Sequence, residues 1–561
     1  MIYTYHPMQM HLHTCHQPGA SMASHMYNAR DLGMHYIRFT DHDVRTGPKK
    51  SPCYGFDFTC GSRTWEDLPG HSCGWEETYG QPEITIDGSG MCLTAASESE
   101  TRQINGVGFV SSAKRHTASL LANITLTLGL TAALTGDARL VLDVRLSQRP
   151  PAHEKAHLRY VLGALREPTL PHAAELPLAA SEDGLYRLPL SEDVQRDGVC
   201  QIVGGLDNAF DSIAILLETG HGTAQCRVSH FSIRVEDGFQ TVVERQRLVA
   251  AEVGKEYGIQ PFVTTEISAA GNHKNCFSTA VPVIDYAALG YNVTQAEAIA
   301  HVKKYGGIFS YNHPFEKYKR SQIPPEQIPF IVRRDAAAMI ASRVWGASLL
   351  EVGFVHGRAG FGLAEHLQLW DLLSLGGVFI TGYGDSDSHN SDRGWYDGHN
   401  FAAWIAADAQ IPFPVPEEVF IDSMKAGRLY TGDPVFLKGS IDFRCGHAPM
   451  GAVIPISDRD HEPRTVTFTA QAAKADWTVR IVADGAPALE GTAGEYMDAA
   501  GTLILDVPVA PVLPVSFVRA ELYNTEGRCV LLTNPIYLVR TAEYAGALPR
   551  ERLYEEGGPA Q

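Results

Sequence analysis

The sequence lacks three features, and each absence argues against a class of protein. Its 561 residues contain no apolar run long enough to span a bilayer, and the first residues lack the basic and then apolar pattern of a secretory signal. None of the ten cysteines belongs to a Cys-x-x-Cys pair, which argues against a zinc knuckle. We therefore expect a cytoplasmic protein with reduced thiols and no membrane partner.

Basic residues are also scarce. The chain has 46 Lys and Arg residues against 64 Asp and Glu residues, which gives a net charge of −18. Proteins that bind nucleic acid or anionic membranes need a positive field, so we expect neither partner, although a local basic pocket stays open. The expected partner is a small-molecule substrate. No pattern fixes the oligomeric state, so a homo-oligomer is left open.

The polarity pattern divides the chain into segments of two kinds. At about 100–200 residues per domain, the length suggests three or four domains. Strands and helices alternate near the N-terminus and again after residue 240, which predicts a barrel of parallel strands. Short strands with alternating polarity fill the remaining stretches and predict β domains. The predicted order is a first barrel segment (1–45), an inserted loop and β domain (46–240), a second barrel segment (241–434), a C-terminal β domain (435–545) and a tail (546–561).

The fold class is thus α/β with two added β domains. Residues 50–92, rich in Gly, Pro, Cys and Trp, predict a long ordered loop, and the strands from 106 to 235 predict an inserted jelly roll or β-sandwich. The strands after 435 predict an immunoglobulin-like β-sandwich. Within the second barrel segment we predict helices over 241–257, 294–305 and 363–375, the second opened by a capping box, and a strand over 308–311.

Residues of metal-ligand type recur where the predicted strands end. His11 and His13, which we place in the first strand, are two residues apart and so project from one face. Imidazoles and carboxylates bind zinc, manganese and iron, and the carboxyl ends of barrel strands meet at one face, so a shared metal centre is predicted. The other candidate ligands are His42, Glu266, His273, His313, Asp387 and His389.

The order of these motifs resembles that of the polymerase and histidinol phosphatase (PHP) superfamily. The motifs are His-x-His at 11–13, Thr-Asp-His-Asp at 40–43, Thr-Glu-Ile-Ser at 265–268, Asn-His-Lys-Asn at 272–275, Asn-His-Pro at 312–314 and Ser-Asp-Ser-His at 386–389. Members are distorted (β/α)7 barrels that carry two or three metal ions and mostly act as phosphoesterases. The match covers residues 8–43 and 241–434. The stretches 425–434 and 534–537 are similar to the branch that includes carbaryl hydrolase and has a C-terminal β domain.

The resemblance implies how the ligands are shared. One ion would lie among His11, His13, Glu266 and Asp387. Glu266 would bridge it to a second ion, which His273 and His313 would hold. His42 and His389 would serve a third ion or, with two ions only, would act as acid–base catalysts.

The number of ions is open between two and three, with zinc, manganese or iron as the metal. The family usually offers another Asp or His five or six residues after the His-x-His motif, where this chain has Pro18 and Gly19. His16 and His25 are the nearby substitutes.

A charged ester also needs cationic contacts in the loops after the strands. We place Arg45 and Arg358 among the catalytic candidates, and Lys274 and Arg393 among the substrate-binding ones. Other candidates for orienting ligands or walling the pocket are Asp43, Glu351, Asp385, Trp395, Tyr396 and His399.

The leading functional prediction is a metal-dependent phosphoesterase, in which a hydroxide between two metal ions attacks a small or carbohydrate-linked phosphoester. The same centre would serve a carbamate or carboxyl ester hydrolase. A third alternative, a catalytically weak glycan-binding protein, would use the inserted β domain for recognition.

Overall fold

The structure is a computed structural model. It describes residues 3–14, 21–42, 54–57, 75–110, 124–149, 154–196, 198–203, 210–235, 239–268, 273–280, 294–318, 320–353, 361–389, 400–457, 460, 462–471 and 473–555. In this part of the chain the fold is mixed α/β and rich in strands, which form four sheets. The predicted α/β class is therefore confirmed at that level. No helix among the described residues is long and apolar enough to cross a membrane.

The chain opens with a strand, a helix and a strand, as predicted. Their bounds are β1 (Tyr3–Gln9), α1 (Met22–Asp31) and β2 (Tyr36–Phe39). β1 and β2 pair in parallel. The placement of His11 and His13 inside the first strand is wrong, because β1 ends before them. They lie in the next segment, where Leu12 forms an isolated bridge to Ser388.

The inserted region forms a ten-stranded sheet around its own apolar core. Its elements are β3 (Tyr54–Asp57), β4 (Trp75–Tyr79), β5 (Glu83–Asp87), β6 (Gly90–Val110), β7 (Ile124–Leu134), β8 (Arg139–Arg149), β9 (Glu154–Leu162), β10 (Ala173–Pro177), β11 (Tyr186–Pro189), α2 (Leu190–Val194), α3 (Val199–Val203) and β12 (Phe210–Val235). Strands β3, β4 and β5 lie where a long loop was predicted. β6 and β12, of 21 and 26 residues, are longer than the short strands expected.

Strand β12 holds this region together. It runs antiparallel to β6 along most of its length. Its first half also pairs with β8 and its second half with β7. Strand β12 thus pairs with β6 along one edge and with β8 and then β7 along the other.

The following segment alternates strands and helices. Its elements are α4 (Phe239–Tyr257), β13 (Gln260–Val263), β14 (Glu266–Ile267), β15 (Lys274–Phe277), α5 (Gln295–Lys303), β16 (Ile308–Tyr311), α6 (Ile328–Ala341), β17 (Leu349–Gly353), α7 (Leu363–Leu375), β18 (Thr381–Gly384), β19 (Ala402–Asp408), α8 (Glu417–Lys425) and β20 (Leu429–Gly432). The capping box at Thr294 and Glu297 is confirmed. The expected all-parallel order is wrong in part, because β15 pairs antiparallel with β14 and β16, and β19 with β1 and β20.

Two isolated bridges bring the strand ends together. β14, β15, β16, β17 and β18 form one five-stranded sheet. A bridge from His42 to Glu266 joins its first edge to the end of β2, and the bridge from Leu12 to Ser388 joins its other end to the segment after β1. The strands thus enclose a common apolar interior, which includes Met8, Phe262 and Tyr383.

The C-terminal region is a two-layer β structure, and one of the two layers is shared with the preceding segment. Its strands are β21 (Ile441–Cys445), β22 (Ala448–Pro449), β23 (Val453–Ile456), β24 (Arg464–Ala470), β25 (Thr478–Ala483), β26 (Ala486–Thr492), β27 (Leu503–Val509), β28 (Val515–Tyr523), β29 (Cys529–Thr533) and β30 (Ile536–Arg540). One layer is the sheet β22-β21-β24-β27. The other continues the sheet that contains β1, because β20 pairs with β29.

Candidate metal centre

All eight predicted ligands lie together at the ends of the strands. The loops after β1, β2, β16 and β18, together with β14 and the residue before β15, carry them, and six of these eight side chains are no more than a tenth exposed. Several sets of three have one ligand atom each, all within 4.8 Å of one another. We call these eight residues the histidine cluster: His11, His13, His42, Glu266, His273, His313, Asp387 and His389.

Three atoms form the tightest group in the histidine cluster. The Nε2 atoms of His11 and His13 lie 3.1 Å apart. Oδ1 of Asp387 lies 3.1 Å from the first and 3.0 Å from the second. Ligands about 2.1 Å from one ion, in tetrahedral or octahedral geometry, are separated by about 3.0–3.4 Å. The residues present therefore fit a divalent transition metal.

Glu266 lies between two sets of histidines. Its Oε1 is 3.3 Å from Nε2 of His11 and 3.5 Å from Nε2 of His313. Its Oε2 is 2.6 Å from Nδ1 of His42 and 3.3 Å from Nδ1 of His273. One carboxylate thus offers an oxygen to each set, which is the arrangement of a bridging ligand. His42 and His273 contact the same oxygen, and His273 also forms a group with His313, the pair that the resemblance assigns to a second ion.

His389 and Glu316 extend the centre on opposite sides. His389 forms a group with His13 and His42, and its ring stacks on that of His13 with 4.2 Å between centroids. Glu316 forms a group with His273 and His313 and was not identified from the sequence. The available signal was its position three residues after His313 in a His-Pro-Phe-Glu stretch.

Two buried acidic side chains stand behind the ligands, where sequence analysis placed them. Oε2 of Glu351 accepts the His313 backbone N–H at 2.5 Å and contacts Nδ1 of the same ring. Its Oε1 is 3.4 Å from Nδ1 of His11, and Oδ2 of Asp385 is 3.6 Å from that nitrogen. Burial, and then Asp385, hold the pKa of Glu351 well above its usual range. These contacts fix which nitrogen each imidazole presents to the centre.

Burial and charge set the ionisation of the ligands. Burial, followed by His389 and His42, holds the pKa of His13 well below its usual value, so its ring is neutral and able to bind a cation. Burial would raise the pKa of Glu266, but His273, His11 and His42 lower it well below the usual range. Burial alone would lower the pKa of His11, but the carboxylates of Glu266 and Asp385 raise it well above its usual value.

Two ligands have a strained backbone. His313 has φ +45° and Asp387 has φ +44°, in the left-handed region that residues other than glycine rarely adopt. Such conformations cost about 1–3 kcal/mol each and persist where the surrounding structure requires them. Here they occur directly after β16 and shortly after β18, where the chain turns over the histidine cluster.

The remaining candidates are only partly placed. Lys274 pairs with Ile267, on the face of the β14–β15 hairpin opposite Glu266, and its Nζ is 5.9 Å from the ring centre of Tyr311. It belongs to none of the ligand groups above, and its role stays a prediction. His25 is buried in α1 with Nε2 3.1 Å from the His13 carbonyl oxygen, and burial lowers its pKa to about 4. The candidates outside the described residues are His16, Asp43, Arg45, Arg358, Arg393, Trp395, Tyr396 and His399.

Comparison with known proteins adds no identification. No protein-family model matches the chain, and no curated protein matches its sequence. Among solved structures, a family 12 xyloglucanase from Bacillus licheniformis is 10% identical and aligns over 28% of this chain and 85% of its own, with a TM-score of 0.21. The endoglucanase cel12A from Rhodothermus marinus is 16% identical over 33% of this chain and 96% of its own, with a TM-score of 0.22. Likeness at this level carries no argument about fold or activity.

Proposed function

We propose that this chain is a metal-dependent phosphoesterase with a distorted (β/α)7 barrel of the PHP type, an inserted jelly-roll-like domain and a C-terminal immunoglobulin-like sandwich. It would act in the cytoplasm on a small or carbohydrate-linked phosphoester. The observation that carries the proposal is that eight donor residues, from segments far apart in sequence, form overlapping groups of three possible metal ligands.

Each part of the histidine cluster has a defined task in this proposal. His11, His13 and Asp387 would hold one divalent ion, and Glu266 would share its two oxygens between this ion and a second one beside His42 and His273. Bound zinc, manganese or iron supplies Lewis acidity and makes water a nucleophile at neutral pH.

The more exposed histidines have the proton-transfer role. His389 and His273 have side chains that are 26% and 24% exposed, whereas those of His11 and His13 are inaccessible. An incoming ester therefore meets His389 and His273 first. Imidazole can protonate the leaving oxygen, and we assign that step to His389, with His42 as the alternative.

The proposal is tested by metal analysis together with activity. The protein would be purified without chelator, its metals counted by mass spectrometry, and hydrolysis measured with p-nitrophenyl phosphate, bis-p-nitrophenyl phosphate and p-nitrophenyl acetate. We expect two or three equivalents of metal and phosphoesterase activity. Loss of a side chain that only orients a metal ligand lowers activity about 10- to 100-fold. Asp387→Ala removes a ligand itself, so we expect its activity to fall by more than this.

The control is Asp476→Ala, at an exposed residue of the C-terminal region, which should leave metal content and activity unchanged. Activity on the acetate ester alone would favour the carbamate or carboxyl ester hydrolase. No metal even after reconstitution would contradict both enzyme proposals and leave the glycan-binding alternative.

A further inference from the structure

A second cavity lies at the other end of strand β1 from the histidine cluster. Its volume is about 1460 Å³, and it runs between the start of β1, the turn before β20 and the C-terminal strands. Pro7, the lining residue of β1 nearest in sequence to His11, is four residues from it, and no member of the histidine cluster lines the cavity. The cavity is therefore separate from the candidate metal centre. We call it the basal cleft.

The basal cleft is lined by more cationic than anionic side chains. Arg30, Arg428, Lys438, Arg444 and Arg552 face four carboxylates, those of Asp31, Asp442, Glu551 and Glu555. Two of these acids already have partners, since Arg30 lies 3.7 Å from Asp31 and Arg444 lies 3.6 Å from Asp442. In a chain with a net charge of −18, a local excess of positive charge is unusual.

Arg428 and Arg552 have no ion pair within the described residues. The Arg428 guanidinium lies over the ring of Tyr3, 5.2 Å from its centre. Arg552 is 4% exposed, and its Nε donates to the Lys425 carbonyl oxygen at 2.9 Å. Its Nη2 donates to the Thr381 hydroxyl, whereas its Nη1 has no hydrogen-bond partner in the part of the chain that the structure describes. A buried guanidinium edge without an acceptor is costly, and an anion in the cleft would supply one.

The two cations are close in the fold. A Cβ on Gly427 would lie 2.7 Å from Nη1 of Arg552, so that nitrogen lies against the turn whose next residue is Arg428. Burial lowers the pKa of Arg552, and the nearby Tyr537 and Glu551 offset that shift only in part. Both arginines also line the same cavity.

Aromatic rings form the adjoining wall. Tyr5 lies 5.1 Å from Tyr430, centre to centre, and Trp404 stacks on Tyr430 at 5.5 Å. Tyr3 and Tyr5 are half-buried and so offer ring surface to the cleft. Aromatic rings pack favourably on tyrosine side chains in offset-stacked or edge-to-face arrangements.

We propose that the basal cleft is a second ligand site, which binds a small organic anion through Arg428 and Arg552 and packs its ring against Tyr3 and Tyr5. The ligand is a carboxylate or phosphate attached to a planar ring. This inference does not rest on the proposed phosphoesterase activity, because none of its residues belongs to the histidine cluster.

The test is isothermal titration calorimetry of the full chain with two probes, phenylphosphonate and benzoate. Neither is an ester, so neither is consumed by a hydrolase, and together they distinguish phosphate-like from carboxylate ligands. We expect one equivalent to bind to the wild-type chain and equally to Asp387→Ala. Arg428→Gln should weaken binding about 10-fold or more, because it removes a charge-assisted hydrogen bond.

Matched variants make the result decisive. Arg187→Gln removes an exposed arginine from the inserted domain and should bind like the wild type. If circular dichroism shows that Arg428→Gln does not fold, Tyr3→Leu takes its place in the titration and should likewise weaken binding. The proposal is overturned if neither probe binds at millimolar concentration, if binding is lost in Asp387→Ala, or if the cleft variants bind as tightly as the wild type.

Discussion

At the scale of single residues, Glu351 allows the orientation of the metal ligands to be tested without changing any ligand itself. It contacts no substrate in the proposed reaction, yet its two oxygens hold His313 and His11. Glu351→Gln keeps the volume and replaces one of the two carboxyl oxygens with an amide NH2 group, which cannot accept a hydrogen bond. We expect metal affinity to fall about 10- to 100-fold, as is typical for an outer-shell carboxylate.

The measurement is competition for zinc against a chromophoric chelator. The control is Glu495→Gln, an exposed residue of the C-terminal region, which should leave the affinity unchanged. Unchanged affinity in Glu351→Gln would show that the two imidazoles are oriented without it.

The identity of the ligands could be predicted from residues and motif order, but their grouping could not. His42 and Glu266 are more than 200 residues apart, and only the bridge between their strands brings Nδ1 of one to Oε2 of the other. The register of such a pairing is set by packing along both strands, which no local pattern records. Glu316, which is partly buried, was missed because the His-Pro-Phe-Glu stretch alone does not show that its carboxylate lies beside His273 and His313.

At the scale of elements, β18 depends on a glycine beneath helix α7. A Cβ at Gly382 would meet the indole ring of Trp370, with Cη2 at 2.6 Å. Trp370 is buried and cannot move away without opening the core around it. Gly382→Ala should therefore lower stability by about 1–3 kcal/mol, the usual cost of overpacking, and disturb the Asp385 and Asp387 segment that follows.

Thermal unfolding and metal content would measure both effects. Gly88→Ala, in the β5–β6 turn, is the matched control, because a Cβ there meets nothing within 4 Å. A wild-type melting temperature in Gly382→Ala would contradict the packing argument.

The elements that could be predicted from the sequence are those whose ends carry strong sequence signals. The strand over 308–311 and the helix over 363–375 have the predicted bounds, and helix α5 has its capping box. β19 was missed because Ala402–Ala407 is buried on both faces and shows no alternation. The antiparallel β14–β15 hairpin was missed because β14 has only two residues.

At the scale of the whole molecule, Asn534 joins the strands of the candidate centre to the C-terminal region. Its Oδ1 accepts the Gly382 N–H, and its Nδ2 donates to the carbonyl oxygens of Gly382 and Leu429, each at 2.8 Å. The side chain is buried. Asn534→Ala would leave these backbone groups without partners, at about 1–3 kcal/mol for each group.

Calorimetry can test this with an internal control. The inserted domain has its own core and should give a separate transition. We expect Asn534→Ala to lower the transition of the remaining chain and to leave that of the inserted domain unchanged. A shift of both transitions, or of neither, would contradict this assignment.

The pairing of β20 with β29 has a consequence for how this protein can be divided. Residues 430–432 pair with residues 531–533. The predicted domain boundary between residues 434 and 435 therefore separates two segments of chain that belong to the same sheet. A fragment that ends there would present a bare strand edge, and such edges recruit other chains and aggregate. The C-terminal region is therefore not a detachable module. Truncated chains and gene fusions can exchange the inserted domain, but the remaining segments have to be kept together.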